Sequence, residues 1–250
     1  MYKENQNYLK PSDNTKIWHY VRYGDFLKII QKQALYFRRM DLMQQSSVPE
    51  YTIPPKIVEK YKANHLVAEL LRRDEEIGDN GTFLSQQQIR QNYFVNPWTM
   101  SNDENDRKWM YDAYTYDHQD EAVIIESTYD CLISSFMQND PDEVYVGMVK
   151  YFDHENQPVE TILQPSTHRP NEKRLEKELR AVTMNNGRES NIADIFTLPP
   201  VTDRCKEIQV SLRKLIKKVY VSPECNESIR DSMKQIVNDN VGNVFSGIFP

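Results

Sequence analysis

The sequence predicts an α+β fold with a single mixed or antiparallel sheet, flanking helices and a helical insertion. Short runs of β-branched and aromatic residues are spread along the chain, which is typical of strands. Helical patterns lie between these runs without strict strand–helix–strand alternation, and residues of about 46–92 are expected to form a mostly helical insertion between strands. The chain has 250 residues, so we expect one domain over 1–250 that includes this insertion.

The composition is that of a folded chain. Apolar residues make up 39%, charged residues 27% and aromatic residues 11%, which is enough for a packed core. The net charge of −6 does not indicate nucleic-acid binding. No apolar run approaches membrane-spanning length, and the 3 cysteines are far apart and outside any C-x-x-C motif. We therefore expect a cytoplasmic protein without a membrane segment or a metal site.

The first elements are a strand, a helix and a second strand. IWHYVRY (17–23) is aromatic and β-branched and predicts a strand. The following GDFLKIIQKQ has apolar residues at helical spacing, and Asp25 is a candidate N-cap. ALYF (34–37) predicts the second strand.

The insertion and the strand after it come next. SSVPEYTIPP (46–55) is a loop by composition, and helices are expected over about 55–76 and 83–92. NYFVNPWTM (92–100) is strand-like but contains Pro97, which has no amide hydrogen. Proline predicts an edge strand or a bulge at this position.

The second half contains further strands and helices. EAVIIES (121–127) predicts a strand, and Ser127 and Asp130 have the spacing of a helix start. EVYVGMVKYF (143–152) predicts a strand, whereas LEKELRAVTM (175–184) fits a helix or a strand. Strands over 207–212 and 215–223 and a helix over 227–239 complete the prediction.

Residues 101–116, SNDENDRKWMYDAYTY, combine charges with aromatic residues. Ser101 and Glu104 have capping-box spacing, so a helix of roughly 102–115 is expected. Trp109 and Met110 lie on one face of that helix with the charges elsewhere. We expect Trp109 to be buried against the core, or to contact a ligand if it lies at a cleft rim.

Several motifs in order resemble the bacterial domain-of-unknown-function family 2971. The resemblance covers most of residues 17–223 except the insertion, and the sequence departs from the family pattern at His19, where the family has Arg, and at Pro97, where it has Cys. The E-x-E-x-R motif is intact as Glu176, Glu178 and Arg180. The stretches that carry the resemblance are IWHYVRYGDFLKIIQKQALYF, NYFVNPWTMSNDENDRKWMYDAY, AVIIESTYDCL, VGMVKYFD, LEKELRAV and LIKKVYVSP.

The E-x-E-x-R motif is a candidate ligand-binding group. In a strand, residues i, i+2 and i+4 share a face, so Glu176, Glu178 and Arg180 would line one surface. Carboxylates beside a guanidinium can orient sugar hydroxyls or stabilise a cationic centre. The alternative is a solvated strand edge or helix turn with ordinary ion pairs.

A looser similarity connects the chain to ADP-ribosyltransferase-like domains. These have a His or Arg on an early strand, an aromatic residue after the next helix, and a late Glu. His19, Tyr36 and Glu178 occur here in that order. The similarity implies NAD as cofactor, with Glu178 as the key catalytic group and His19 and Tyr36 positioning the nicotinamide ribose. The alternatives are a partly buried His19 and a Tyr36 packed in the core.

Two hypotheses about function follow. One is an NAD-dependent ADP-ribosyltransferase-like enzyme of bacterial or phage type that modifies a macromolecular acceptor in a toxin or defence context. In it Glu176 or Arg180 assists Glu178, and Glu176, Arg180 and Trp109 are the candidate ligand-binding residues. The other is a non-catalytic binding or regulatory module. The two are distinguished by whether His19, Tyr36 and Glu178 converge on one cleft.

Overall fold

The α+β class predicted from the sequence is confirmed by the structure, a computed structural model with one large mixed sheet and flanking helices. The structure describes residues 1–43, 59–60, 63–77, 83–101, 103, 107–108, 110–112, 122–153, 165–187, 195 and 198–249.

Eleven strands lie within these described ranges. They are β1 (Lys16–Arg22), β2 (Ala34–Arg39), β3 (Tyr93–Met100), β4 (Ala122–Thr128), β5 (Tyr145–Met148), β6 (Lys150–Phe152), β7 (His168–Pro170), β8 (Glu178–Met184), β9 (Cys205–Gln209), β10 (Lys218–Val221) and β11 (Phe245–Ile248).

The described α-helices lie between these strands. They are α1 (Tyr23–Lys32), α2 (His65–Ile77), α3 (Phe83–Gln91), α4 (Tyr129–Ser135), α5 (Leu212–Leu215) and α6 (Glu227–Asn240), and 3-10 turns span Met40–Leu42, Pro165–Thr167 and Asn171–Glu176. No helix in the described part of the chain is long and apolar enough to cross a membrane.

The large sheet has the strand order β11-β10-β4-β1-β3-β2-β9, and β8 pairs with β3 and β5. All pairs in it are antiparallel except the parallel pair β10–β11. The expected strand over 143–152 divides into β5, which joins this sheet, and β6, which instead pairs with β7 in a separate two-stranded ribbon.

The two faces of the large sheet are buried by different elements. On one face, here called the core face, Ile17, Ile125 and Leu179 form a cluster with apolar residues of α1, α4 and α6. On the opposite face, here called the second face, Val95 and Val182 pack with residues of α2 and α3. The insertion thus covers part of the second face.

The sequence predicts an edge strand or a bulge at Pro97; β3 is not an edge strand of the large sheet, but its pairing on one side is interrupted at this residue. β3 is central, but β1 pairs with it only through Met100 and Thr99, and β2 only through Val95 and Phe94. Residues 96–98 therefore have no strand partner on that side, and the missing amide hydrogen of Pro97 costs no ladder hydrogen bond. Proline is tolerated at this position because β1 and β2 pair with opposite ends of β3 and leave the residues between them unpaired on that side.

Two predicted helix starts also differ from the structure. Arg22 is the N-cap of α1 and makes no side-chain cap, while the predicted cap Asp25 lies in the first turn and pairs with Lys28. The cap of α4 is Thr128, whose side chain accepts a hydrogen bond from the amide of Cys131, and not Ser127. Several adjacent oxygen-bearing side chains can cap a helix, so the sequence alone does not choose among them.

Candidate functional site

Glu178 begins β8 on the second face and is the centre of a buried ionic cluster. Glu178 is only 2% exposed to solvent. Arg180 holds the carboxylate with two bonds, from Nε to Oε1 at 2.8 Å and from Nη2 to Oε2 at 3.0 Å. Arg169 donates from Nη1 to Oε2 at 2.8 Å. Both carboxylate oxygens of Glu178 therefore accept hydrogen bonds from guanidinium groups.

Electrostatics in this cluster favour the ionised form of Glu178. Burial alone would raise the pKa of its carboxyl group, but the charges and hydrogen bonds of Arg180 and Arg169 outweigh burial and lower the pKa below its ordinary value. Glu178 is thus a carboxylate at neutral pH, as a buried ion-pair partner must be.

Glu176 joins the cluster from a different element than expected. It ends the 3-10 turn Asn171–Glu176, and Lys177 after it has a left-handed backbone with φ of 42°. Glu176 therefore does not share a strand face with Glu178, but its carboxylate still accepts a hydrogen bond from Arg169. Two carboxylates and two guanidinium groups meet, and Nζ of Lys173 lies 3.7 Å from Oε1 of Glu176.

The cluster is also tied to neighbouring backbone. Nη1 of Arg180 donates to the Ser166 carbonyl at 3.0 Å, and the amide of Glu178 donates to the Tyr151 hydroxyl at 2.9 Å. Burial raises the pKa of Tyr151 to about 12, so this hydroxyl is neutral. Arg169, which holds Glu176 and Glu178 together, was not singled out from the sequence, because nothing in its local pattern shows that partner.

His19 lies on the core face, where β1 has left β3. Its Nδ1 is 2.8 Å from the carbonyl oxygen of Pro97, and its ring stacks on Trp98 with centroids 4.8 Å apart. Because a carbonyl oxygen can only accept, Nδ1 carries the proton in this contact. Burial lowers the pKa of His19 to about 4, so the ring is neutral at pH 7.

The strand register places His19 and Glu178 on opposite faces. Trp18 is the register partner of Thr99, which is also the partner of Glu178, so these three side chains share the second face. His19 is the next residue along β1 and points the other way. The structure therefore does not bring His19 and Glu178 to one cleft.

Tyr36 is half-buried on β2, opposite Glu207 of β9. Burial first, and then the charge of Glu207, raise the pKa of the phenol. Its carbonyl oxygen accepts a hydrogen bond from Nδ2 of Asn96 at 3.0 Å, and Oδ1 of Asn96 accepts one from Nε1 of Trp98 at 2.7 Å. Asn96, which the sequence did not indicate, thus bridges β3 and β2 where the ladder is open.

Trp109 lies outside the residues whose placement the structure describes, so its expected burial stays a prediction. Its neighbours Met110 and Tyr111 are helical and buried, as a helix with an apolar face requires. Arg107 is also helical and places its guanidinium 5.0 Å from the ring centre of Trp18.

A third arrangement that the sequence did not indicate is an aromatic group on the second face, in which Trp18, Tyr111 and Phe249 are buried and Tyr20 and Tyr220 are half-buried. Trp18 and Tyr20 alternate along β1, a spacing that puts both rings on one face and could have suggested it. The other rings come from distant positions that no local pattern connects. The members are Trp18, Tyr20, Tyr111, Tyr220 and Phe249.

Within the described ranges, no three His, Cys, Asp or Glu side chains are arranged to hold a metal ion. The buried ionic cluster has a guanidinium for every carboxylate, so its chemistry does not fit a cation. No family model matches the chain, and no curated protein and no solved structure is significantly similar to it.

Proposed function

We propose that this protein is a non-catalytic binding or regulatory module. The observation that supports the proposal most directly is the state of Glu178, the best candidate for a catalytic group. Its carboxylate is buried, and both oxygens are bound by Arg180 and Arg169. In this role Glu178 joins β8 to the segment around residues 165–176.

A catalytic carboxylate has to reach the atoms on which charge develops in the transition state. Groups that stabilise such charge act at about 3 Å from the reacting atom. Here the guanidinium groups of Arg180 and Arg169 already occupy the positions at that distance from the Glu178 carboxylate. Removing one member of a buried ion pair leaves uncompensated charge and costs about 3–5 kcal/mol of stability. Glu178 is therefore expected to contribute to the free energy of unfolding.

His19 supports the same proposal. Its Nδ1 is committed to Pro97, its ring stacks on Trp98, and it is neutral and only 8% exposed. These contacts close the opening between β1 and β3, where main-chain hydrogen bonds are missing. A His that holds a ribose would instead need an exposed ring nitrogen beside the catalytic carboxylate.

The NAD-dependent transferase stays the rival hypothesis, and one pair of variants separates the two. Glu178→Gln removes the charge and keeps the shape, and Glu207→Gln makes the same change at an exposed carboxylate of β9. Nicotinamide release from NAD, with and without candidate acceptor proteins, and the free energy of unfolding are measured on both variants and the wild type.

A binding module predicts that the wild type releases no nicotinamide above background and is not stabilised by NAD. It also predicts that Glu178→Gln loses about 3–5 kcal/mol of stability while Glu207→Gln changes by less than about 0.5 kcal/mol. Turnover by the wild type that disappears in a stably folded Glu178→Gln protein would establish the transferase instead.

A further inference from the structure

Phe249 occupies a pocket whose walls are aromatic rings on the second face. Its ring lies 5.7 Å from that of Tyr111 and is nearly parallel to it. It meets Tyr220 at 5.8 Å, Trp18 at 6.1 Å and Tyr20 at 6.3 Å, each edge to face. These are the separations and orientations that aromatic pairs prefer. The pocket is therefore shaped for a planar ring.

The walls are held in place by contacts that do not involve Phe249. Trp18 donates from Nε1 to the Ser101 carbonyl at 2.8 Å. The hydroxyl of Tyr220 donates to Glu126 at 3.0 Å, and that of Tyr111 donates to Glu224 at 2.8 Å. Because these partners belong to the sheet and its adjoining loops, the pocket would keep its shape when the ring of Phe249 leaves.

The segment that carries Phe249 lies at the edge of the large sheet, and its Val244 and Phe245 pack, partly buried, against the core-face cluster. β11 is a four-residue strand at one end of the sheet order, it is parallel to β10, and its register shifts between Val219 and Tyr220. Ser246 and Ile248 are exposed, and Phe245 and Gly247 are half-buried. Phe249 is thus the one fully buried side chain of residues 245–249. Elements with little buried apolar surface open more readily than the core.

The backbone beside the pocket pairs with an extended chain. The amide of Val219 donates to the Val244 carbonyl, and the amide of Phe249 donates to the Val221 carbonyl, both at 2.9 Å. Gly247, which lies between Val244 and Phe249 in the sequence, has φ of 90°. Other residues rarely adopt this conformation, which turns the chain into the pocket. β10 and the pocket together therefore hold a strand that ends in an aromatic side chain.

We propose that the edge of β10 and the aromatic pocket form a binding site for an extended peptide segment with an aromatic side chain, and that β11 occupies this site in the present state. A partner segment would add to β10 through main-chain hydrogen bonds and insert its ring in place of Phe249.

The proposal depends on the release of β11, which hydrogen exchange of the wild type measures. The amide of Phe249, which donates to the Val221 carbonyl, and those amides of β11 that donate to β10 should exchange on the order of a hundredfold faster than the amide of Ile125 in the central β4, because they open locally. Exchange of all these amides at one rate, set by global unfolding, would overturn the proposal. This measurement needs no variant, so it does not depend on whether a variant folds.

Binding is tested with labelled peptides of residues 243–249, NVFSGIF, and of the same segment with its last Phe replaced by Ala. Phe249→Ala should bind the first peptide at least about tenfold tighter than the second, as expected for loss of one well-packed aromatic anchor. The wild type should bind the first peptide more weakly than Phe249→Ala, because its own β11 competes. Phe249→Leu replaces Phe249→Ala if the latter does not fold.

Phe136→Ala is the matched control, because Phe136 is also 3% exposed but lies in the core-face cluster. It should not gain peptide affinity over the wild type. Equal affinity of Phe249→Ala for both peptides, or none for either, would contradict the proposal. A wild-type dimer by light scattering, in which β11 is exchanged between two copies, would replace it with a self-association site. None of these results depends on whether Glu178 is catalytic.

Discussion

Lowering the pH should destabilise this protein through His19 before Glu178 takes part. The ring is buried between Trp98 and the carbonyl of Pro97, and burial lowers its pKa from 6.5 to about 4. In the unfolded chain the same ring has its ordinary pKa, so the unfolded state binds the proton first as the pH falls. Stability is therefore complete above about pH 6.5 and is lost between 6.5 and 4.

The size of the loss follows from the two pKa values. A difference of roughly 2.5 pKa units corresponds to about 3 kcal/mol of unfolding free energy at pH 4, and to about 2 kcal/mol at pH 5. Glu178 acts in a different window. Its pKa in the folded state is also lowered, so the stability from its ionised form is lost only as the pH falls below the ordinary carboxyl value of 4.5. Between pH 6.5 and 4.5 the effect of His19 is therefore separate from that of Glu178.

Urea unfolding between pH 4.5 and 8 measures this on the wild type, His19→Gln and His168→Gln. Gln at position 19 retains an amide donor for Pro97 but does not titrate. His168 is also buried, so His168→Gln measures how much of the pH dependence of stability comes from that second histidine. The unfolding free energy of His19→Gln should change with pH by about 2 kcal/mol less than that of the wild type between pH 8 and 5. Identical pH profiles of the unfolding free energy for the wild type and His19→Gln would refute the assignment of His19 as buried and neutral.

Two further predictions concern packing. Gly147→Ala should cost about 1–3 kcal/mol, because the new Cβ would lie 2.8 Å from the Cβ of Tyr8 and 2.9 Å from its Cα. Gly24→Ala is the control, because no atom lies within 4 Å of the new Cβ. It should increase stability by less than about 1 kcal/mol. Equal effects in urea unfolding would contradict this. Asn96→Ala should cost about 1–3 kcal/mol, because it leaves Nε1 of Trp98 without its acceptor. Thermal unfolding measures this loss, and a value below about 1 kcal/mol would show that water replaces the amide.

Periodicity and composition identified most of the fold. β1, β2, β4 and α6 lie within about two residues of the expected ranges, because each is a strong local pattern. The break between β5 and β6 was not predictable, since both halves have strand composition. Which of two adjacent strands joins the large sheet depends on β8 and β7, which are distant in sequence.

The candidate site shows where sequence reasoning ends. Spacing within E-x-E-x-R correctly puts Glu178 and Arg180 on one face, but the left-handed turn at Lys177 removes Glu176 from the strand. Arg169 enters the cluster from β7, and no local pattern reveals an ion pair across a turn. The opposite orientation of His19 and Glu178 depends on the mutual register of three strands that are distant in sequence, and the local pattern of one strand does not reveal how it aligns with the others.

That register is hard to change, which bears on the transferase hypothesis. A slip of β1 by one residue would turn His19 to the face of Glu178, but it would turn every other side chain of β1 as well. Ile17, fully buried on the core face, would leave its cluster, and Trp18 would leave the aromatic pocket and its hydrogen bond to Ser101. Each such displacement costs about 1.5–3 kcal/mol of burial, so a slip of β1 would consume much of the stability of an ordinary domain. A transferase on this fold would therefore have to use Glu178 without His19, after Arg169 or Arg180 had released the carboxylate.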